Sequence, residues 1–213
     1  MLIVFSPDGK LSRILSVVFD IIIIGIIWFI CSLPLITIAA STTAAYYTMA
    51  KVVRAGSGYM LREFFRSFRQ NLKQALLPGL VYVICFLVLS LDIFYVYNNR
   101  SALNDSLFII LSGIAVLIIF ATIYFPPMLS RFDKSIKELT FMAFVSAFRF
   151  LPITMLCVIV AGLMAATIWL MPWAVVILPG IYMYLFTYPM EYILKKFMKK
   201  PEEGEEDIWY YTL

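Results

Sequence analysis

Residues 14–33 read ILSVVFDIIIIGIIWFICSL, and Pro34 parts them from LITIAASTTAAYYTMAKVV at 35–53. The first run has the length and the apolar character that a helix needs to cross about 30 Å of hydrocarbon. One helix from Ile14 to Val53 would be about 60 Å long, roughly twice that thickness. The chain must therefore break. Pro34 is the place, because it lacks a backbone N–H and its ring clashes with the preceding turn. Beyond it, 35–53 either spans as a second helix or lies along the surface. A cleaved signal peptide does not explain the first run, whose apolar stretch exceeds the usual 7–15 residues.

Working outward, four further apolar runs lie at 76–97, 107–129, 151–171 and 173–194. The chain has 213 residues, 63% of them apolar and 14% charged, with a mean hydropathy of +0.93. An ordinary globular domain is roughly 45–50% apolar. Too few polar residues remain to cover a soluble surface, which excludes a soluble enzyme, a disordered chain and a disulfide scaffold. The expected class is an all-α integral membrane protein.

Charge placement orders the spans, because Lys and Arg gather in cytoplasmic loops. Six spans with both termini inside leave only Arg100 outside, and the other 16 of the 17 Lys and Arg fall inside. Five spans with the N-terminus outside also expose Lys10 and Arg13, leaving 14 inside. The six-span arrangement is the better by two charges. The reading is one polytopic domain over 1–200, in a bacterial cytoplasmic membrane, with an acidic solvated tail at 201–213. Within 35–53, the pairs Ala39/Thr43, Ala40/Ala44 and Ser41/Ala45 are spaced as small residues are where helices approach closely in lipid.

The loop after Val53 carries an amphipathic pattern. Leu61, Phe64, Phe65, Phe68 and Leu72 share one helical face over Met60–Ala75, and Arg62, Arg66, Arg69 and Lys73 share another. Gly56-Ser57-Gly58 precedes them as a hinge. The expectation is a cytoplasmic interfacial helix with phenylalanines in lipid and arginines at headgroup phosphates. A docking surface for a partner uses the same pattern. A short second copy follows, Phe144-Val145-Ser146-Ala147-Phe148-Arg149 matching Phe64-Phe65-Arg66-Ser67-Phe68-Arg69, and it adds Arg149 to the candidate headgroup or docking contacts.

Reactive chemistry is sparse. There is no histidine, and Cys31, Cys85 and Cys157 are isolated in apolar runs, so neither a metal site nor a cofactor site is expected. Asp20 and Asp92 lie within spans and are the candidate intramembrane polar residues. Such acids are costly and functional by default, although both lie near span ends where packing or snorkelling suffices. Glu191, in the last turn of its span, is expected to snorkel to water. Pro126-Pro127 and Pro189 are expected to kink their helices.

Three segments resemble the YesL-type family of bacterial membrane proteins: Ser6-Pro7-Asp8-Gly9-Lys10-Leu11, the stretch from Cys31 to Ala44, and Phe65-Arg66-Ser67-Phe68-Arg69-Gln70-Asn71-Leu72-Lys73-Gln74. Ala39 stands where that family commonly has Gly. The resemblance covers about the first third of the chain. It implies a small multi-pass protein of unknown biochemical function, often encoded near carbohydrate uptake transporters, and brings no catalytic residues. Three functions compete. One is an accessory or regulatory component of carbohydrate uptake, partnered by the lipid bilayer and by subunits of an ABC importer, with no nucleic acid involved. The chain carries neither a P-loop nor the Glu-Ala-Ala…Gly pattern of importer permeases. The second is a small secondary transporter or channel-like oligomer using Asp20 or Asp92. The third, an intramembrane enzyme, lacks His, paired carboxylates at one depth and a nucleophile motif. The expectation is no enzyme.

Overall fold

The computed structural model describes residues 10–99 and 101–198, with side chains described from Ile14 onward. Every regular element among them is helical. In chain order these are α1 (Lys10–Ser32), a short 3-10 turn (Leu35–Thr37), α2 (Ile38–Thr48), α3 (Met60–Asn98), α4 (Ala102–Leu129), α5 (Ile136–Arg149), α6 (Leu151–Leu170), a second 3-10 turn (Pro172–Val176) and α7 (Leu178–Leu194). A π-helical turn, Met49–Arg54, prolongs α2. Four segments are long and apolar enough to cross a membrane: Ile14–Ser32, Met60–Asn98, Leu103–Leu129 and Leu151–Leu170. Length and apolar composition thus single out four of the six expected spans and leave the count of six without confirmation. The remaining two, α2 and α7, have 11 and 17 residues.

The break at Pro34 is as the proline demands. The Pro34 carbonyl accepts from the Thr37 N–H at 2.8 Å, closing the turn that reverses the chain into α2. That helix is the most enclosed of the set. Ala39, Ala40, Ser41, Thr43, Ala44, Ala45, Tyr46 and Thr48 are all buried. Their small side chains let α1, α3 and α4 pack against α2 closely, and hydroxyls tie the interfaces. Trp28 Nε1 donates to Thr42 Oγ1 at 3.0 Å, and the Ser32 and Ser41 hydroxyls are 2.6 Å apart. Each interhelical bond of this kind contributes on the order of 0.6 kcal/mol in a membrane protein.

α1 and α7 meet through glycine. A Cβ on Gly180 would collide with the Ile21 carbonyl oxygen, and one on Gly25 would stand 3.0 Å from the Val176 carbonyl oxygen. This crossing is a backbone-to-backbone contact that no other residue permits.

The largest departure from expectation is α3. The separate interfacial helix at 60–75 does not exist as such; it is continuous with the following span in one helix of 39 residues. At 1.5 Å per residue that rod is about 58 Å long. Pro78, inside it, removes the N–H that would bond the Gln74 carbonyl and crowds that carbonyl, yet does not end the helix. The predicted phenylalanine face is also divided. Phe64 is fully buried against Ala44, Ala45, Met49 and Met183, and Phe68 and Leu72 pack on the core, whereas Leu61 and Phe65 remain exposed. Protein contacts, not lipid, take the inner half of that face. Gly56 (φ 66°) and Gly58 (φ 94°) make the turn before it in the left-handed region that favours glycine.

The second copy of the motif behaves differently. α5 opens on a side-chain N-cap, the Ser135 hydroxyl accepting the Glu138 N–H and donating to Glu138 Oε1 at 2.9 Å. It ends at Arg149, and α6 starts at Leu151 with Pro152 in its first turn. Proline close after the motif separates two helices; proline nine residues after it, in α3, does not. Pro126, Pro127 and Pro189 all lie inside continuous helices.

Candidate functional site

One end of the bundle gathers most of the charge. The last turn of α2 and its π-helical extension, the start of α3, the loop after α4 and the end of α7 converge there. Wider π turns rotate the side chains that follow, and such turns are frequent at functional positions. Here the turn carries Lys51 and Arg54.

Tyr46 and Tyr47 are adjacent, so on a helix they point about 100° apart. Tyr46 turns inward, 1% exposed, and its hydroxyl donates to Glu191 Oε1 at 2.8 Å. Arg131 donates to the same oxygen. Both side chains of this ion pair are almost fully enclosed, Arg131 at 3% and Glu191 at 2% exposure. Glu191 therefore does not snorkel. A guanidinium and a tyrosine hydroxyl reach it inside the protein, which makes burial of its charge tolerable. Tyr47 faces the other way. Its hydroxyl accepts from Arg66 Nη2 at 2.9 Å, and its ring centroid lies 5.8 Å from Arg131 and 5.5 Å from the Lys51 ammonium. Glu63, buried in the amphipathic stretch, joins Lys51 at 3.0 Å and Arg66 at 2.5 Å. Arg54 donates to Thr187 Oγ1 at 3.3 Å and stacks 4.0 Å above the Tyr188 ring.

The network thus holds four cations, Lys51, Arg54, Arg66 and Arg131, against two carboxylates, Glu63 and Glu191. It links α2, α3, α4 and α7 and fixes the arginine-bearing stretch of α3 relative to the bundle. Gln74 adds a bond from α3 to the Lys134 carbonyl at 2.5 Å. Outward from this frame, Leu61, Arg62, Phe65, Arg66, Arg69 and Gln70 line an open groove of about 680 Å³. Arg62, Arg66, Arg69 and Lys73 are all exposed along α3. The predicted arginine face is present on one helix, and Arg66 alone of the four bonds to the frame beneath. Arg149 lies elsewhere, exposed at the end of α5, with its guanidinium 5.8 Å from the Phe150 ring centroid.

The two intramembrane acids build no site with each other. Asp20 is half-buried on α1 and Asp92 exposed on α3, and neither has an ion pair or side-chain hydrogen bond with another described residue. Among the described residues, no three His, Cys, Asp or Glu side chains come together as metal ligands would. Sequence reading missed Glu63, Glu191 and Arg131. Each was a lone charge near a span end or within a basic run, and their pairing joins residues 60 apart for Arg131 and Glu191. Lys51 and Arg54 carried a signal, two cations closing an otherwise small-residue helix, but not their partners.

Two smaller, partly open crevices lie between the helices. One, about 180 Å³, is lined by Thr42, Tyr46, Thr122, Pro127 and Phe186 among others; the second, about 220 Å³, by Trp28, Thr42, Tyr82, Thr122 and Phe125. They share Thr42, Thr122 and Pro126.

Residues 21–93 match the family described as "Protein of unknown function, DUF624". The chain is 24% identical over 160 residues to the uncharacterized protein YesL of Bacillus subtilis (strain 168), covering 73% of this chain and 75% of that one. No solved structure matches. The matched segment contains α2, the π turn and nearly all of α3, so the arginine groove and Glu63 lie within it.

Proposed function

We propose that this YesL-like chain is a non-enzymatic accessory component of carbohydrate uptake that docks an acidic surface of an importer subunit on the arginine face of α3. The observation that carries this reading is the groove itself. Arg62 and Arg69 stand exposed beside Leu61 and Phe65, on a helix held by Glu63, Lys51 and Tyr47. Rigid presentation of charged and apolar groups together lowers the ordering cost of binding. The carbohydrate class comes from the resemblance to YesL-type proteins. In this reading the chain sits in a bacterial cytoplasmic membrane with six spans, α2 and α7 being the two short ones. The basic end and both termini face the cytoplasm, as charge placement favours.

The test is recovery of associated importer subunits from native membranes with wild type and with Arg62→Gln/Arg69→Gln at equal expression. These positions are exposed, so the fold is unaffected, and the double variant should lose the partner. Equal recovery from both would remove the docking reading. A second reading, a small transporter acting as an oligomer, is favoured by the two adjoining crevices that share Thr42 and Thr122. Sugar uptake into proteoliposomes holding the purified chain alone, abolished by Thr122→Leu, is the result that would favour it.

A further inference from the structure

We infer that the acidic C-terminal segment of this chain, residues 201–213, docks in the arginine groove of α3 and covers it; this rests on the reading of that groove as the docking face. The groove presents Arg62, Arg66 and Arg69 alternating with Leu61 and Phe65. Arg62, Arg69 and Lys73 have no ion pair with any described residue. The segment has the complementary order: Glu202, Glu203, Glu205, Glu206 and Asp207, then Ile208-Trp209-Tyr210-Tyr211. Carboxylates pair with arginine in a forked geometry, and guanidinium planes stack on Trp and Tyr faces. No other stretch of the sequence combines five acids with an aromatic run.

The chain between the last described residue and the acids is short. Phe197 and Met198, the last described residues, pack against the cluster holding Met190 and Leu194, and Phe68 and Leu72 of α3 pack against that same cluster. Glu202 lies four residues beyond Met198 and Asp207 nine, a reach of about 13 to 30 Å for extended chain. A helix with side chains is about 10–12 Å thick. That reach well exceeds the thickness of one helix at Asp207. A tether this short raises the local concentration to the mM range, enough for weak exposed ion pairs to hold.

The test uses Leu61→Cys with Tyr210→Cys in the full chain, with Cys31, Cys85 and Cys157 replaced by Ala, purified in neutral detergent without partner. A short bismaleimide should crosslink the two within one molecule severalfold faster than it crosslinks Ser101→Cys with Tyr210→Cys, at the far end of α3. Salt at 1 M, where the screening length is about 3 Å, should slow it. Arg62→Glu/Arg69→Glu should abolish it, and Glu205→Arg/Glu206→Arg added to that variant should restore it, which also confirms that the variants fold. Equal rates at 61 and 101 overturn the inference. So does a crosslinked dimer as main product, which assigns the groove to a second copy. Loss of the crosslink in phosphatidylglycerol bilayers, which assigns the groove to headgroups, overturns it too. The crosslink is read without partner, so a failed partner pull-down and a failed tail contact are separate results.

Discussion

Replacing Glu191 by glutamine tests the buried pair directly. The substitution keeps the shape and removes the charge, leaving the Arg131 side chain, 3% exposed, without the carboxylate that it now meets. Removing one partner of a buried ion pair costs about 3–5 kcal/mol. The Tyr47 ring beside Arg131 offsets part of this, so the lower end applies, about 3 kcal/mol, roughly a hundredfold in the unfolding equilibrium. Tyr46→Phe removes a hydrogen bond to a charged acceptor and should cost about 1.5–3 kcal/mol. Because both act on Glu191, the two losses are not additive, and Tyr46→Phe should cost much less in the Glu191→Gln background. The apolar double variant Arg131→Met/Glu191→Met should be more stable than either single replacement. The assay is unfolding of the purified protein by denaturing detergent, followed by tryptophan fluorescence. A Glu191→Gln protein within about 0.5 kcal/mol of wild type would refute the reasoning. So would a Met pair that loses the sum of its singles.

Gly180→Ala should destabilise by about 1–3 kcal/mol, because its Cβ enters the Ile21 carbonyl oxygen, whereas Gly113→Ala, with open space around it, should not; equal midpoints for both would contradict the α1–α7 crossing. Asp92→Asn should fold and leave stability within about 0.5 kcal/mol, since the side chain is exposed on α3 and bonds to no described residue; normal expression with loss of sugar-dependent growth would instead favour a transporter. In a background without native cysteines, thiols at Ser6 and Ser101 should label from inside and outside respectively, and labelling of position 6 from outside intact cells would reject six spans with both termini cytoplasmic.

The membrane class, the break at Pro34 and the packing role of α2 were legible because each follows from local composition. A run of apolar residues, one proline and a small-residue stripe need no knowledge of partners. The arginine face was legible for the same reason, as a period along one helix. What was not legible depends on contacts between distant segments. Phe64 and Phe65 are indistinguishable in sequence, yet one is fully buried and the other exposed, because only α2 and α7 decide which side of α3 is covered. Glu191 looked free to reach water until Arg131 and Tyr46, far away in the chain, proved to enclose it. The separate interfacial helix failed as an expectation because amphipathic and apolar periods can run in register through one continuous helix, and even Pro78-Gly79, close to the expected boundary, lie buried inside it.

The two copies of the Phe-Arg motif bring the argument about function to a point. In the first copy the motif lies on a helix that runs unbroken into the apolar stretch, and Glu63 binds Lys51 and Arg66 so that the first turn of that helix is tied to the end of α2. In the second, the helix stops at Arg149, and α6 starts at Leu151 with Pro152 in its first turn. The sequences at 64–69 and 144–149 are similar, but their charge is not: Arg66 has become Ser146, which is buried, and only Arg149 keeps its place. Burial of the serine turns that face of α5 toward the bundle, where Leu139, Ala143 and Ala147 belong to the core. The second copy is thus used for packing, and the first has an outer face free of that duty. A chain that needed the motif only to hold its helices together would have no reason to carry three arginines and a lysine along the exposed side of one copy alone. Solubility at the membrane surface would be met as well by mixed charges. The single sign, the rigid mount and the adjoining Leu61 and Phe65 are what a docking face requires, and they occur together only on α3.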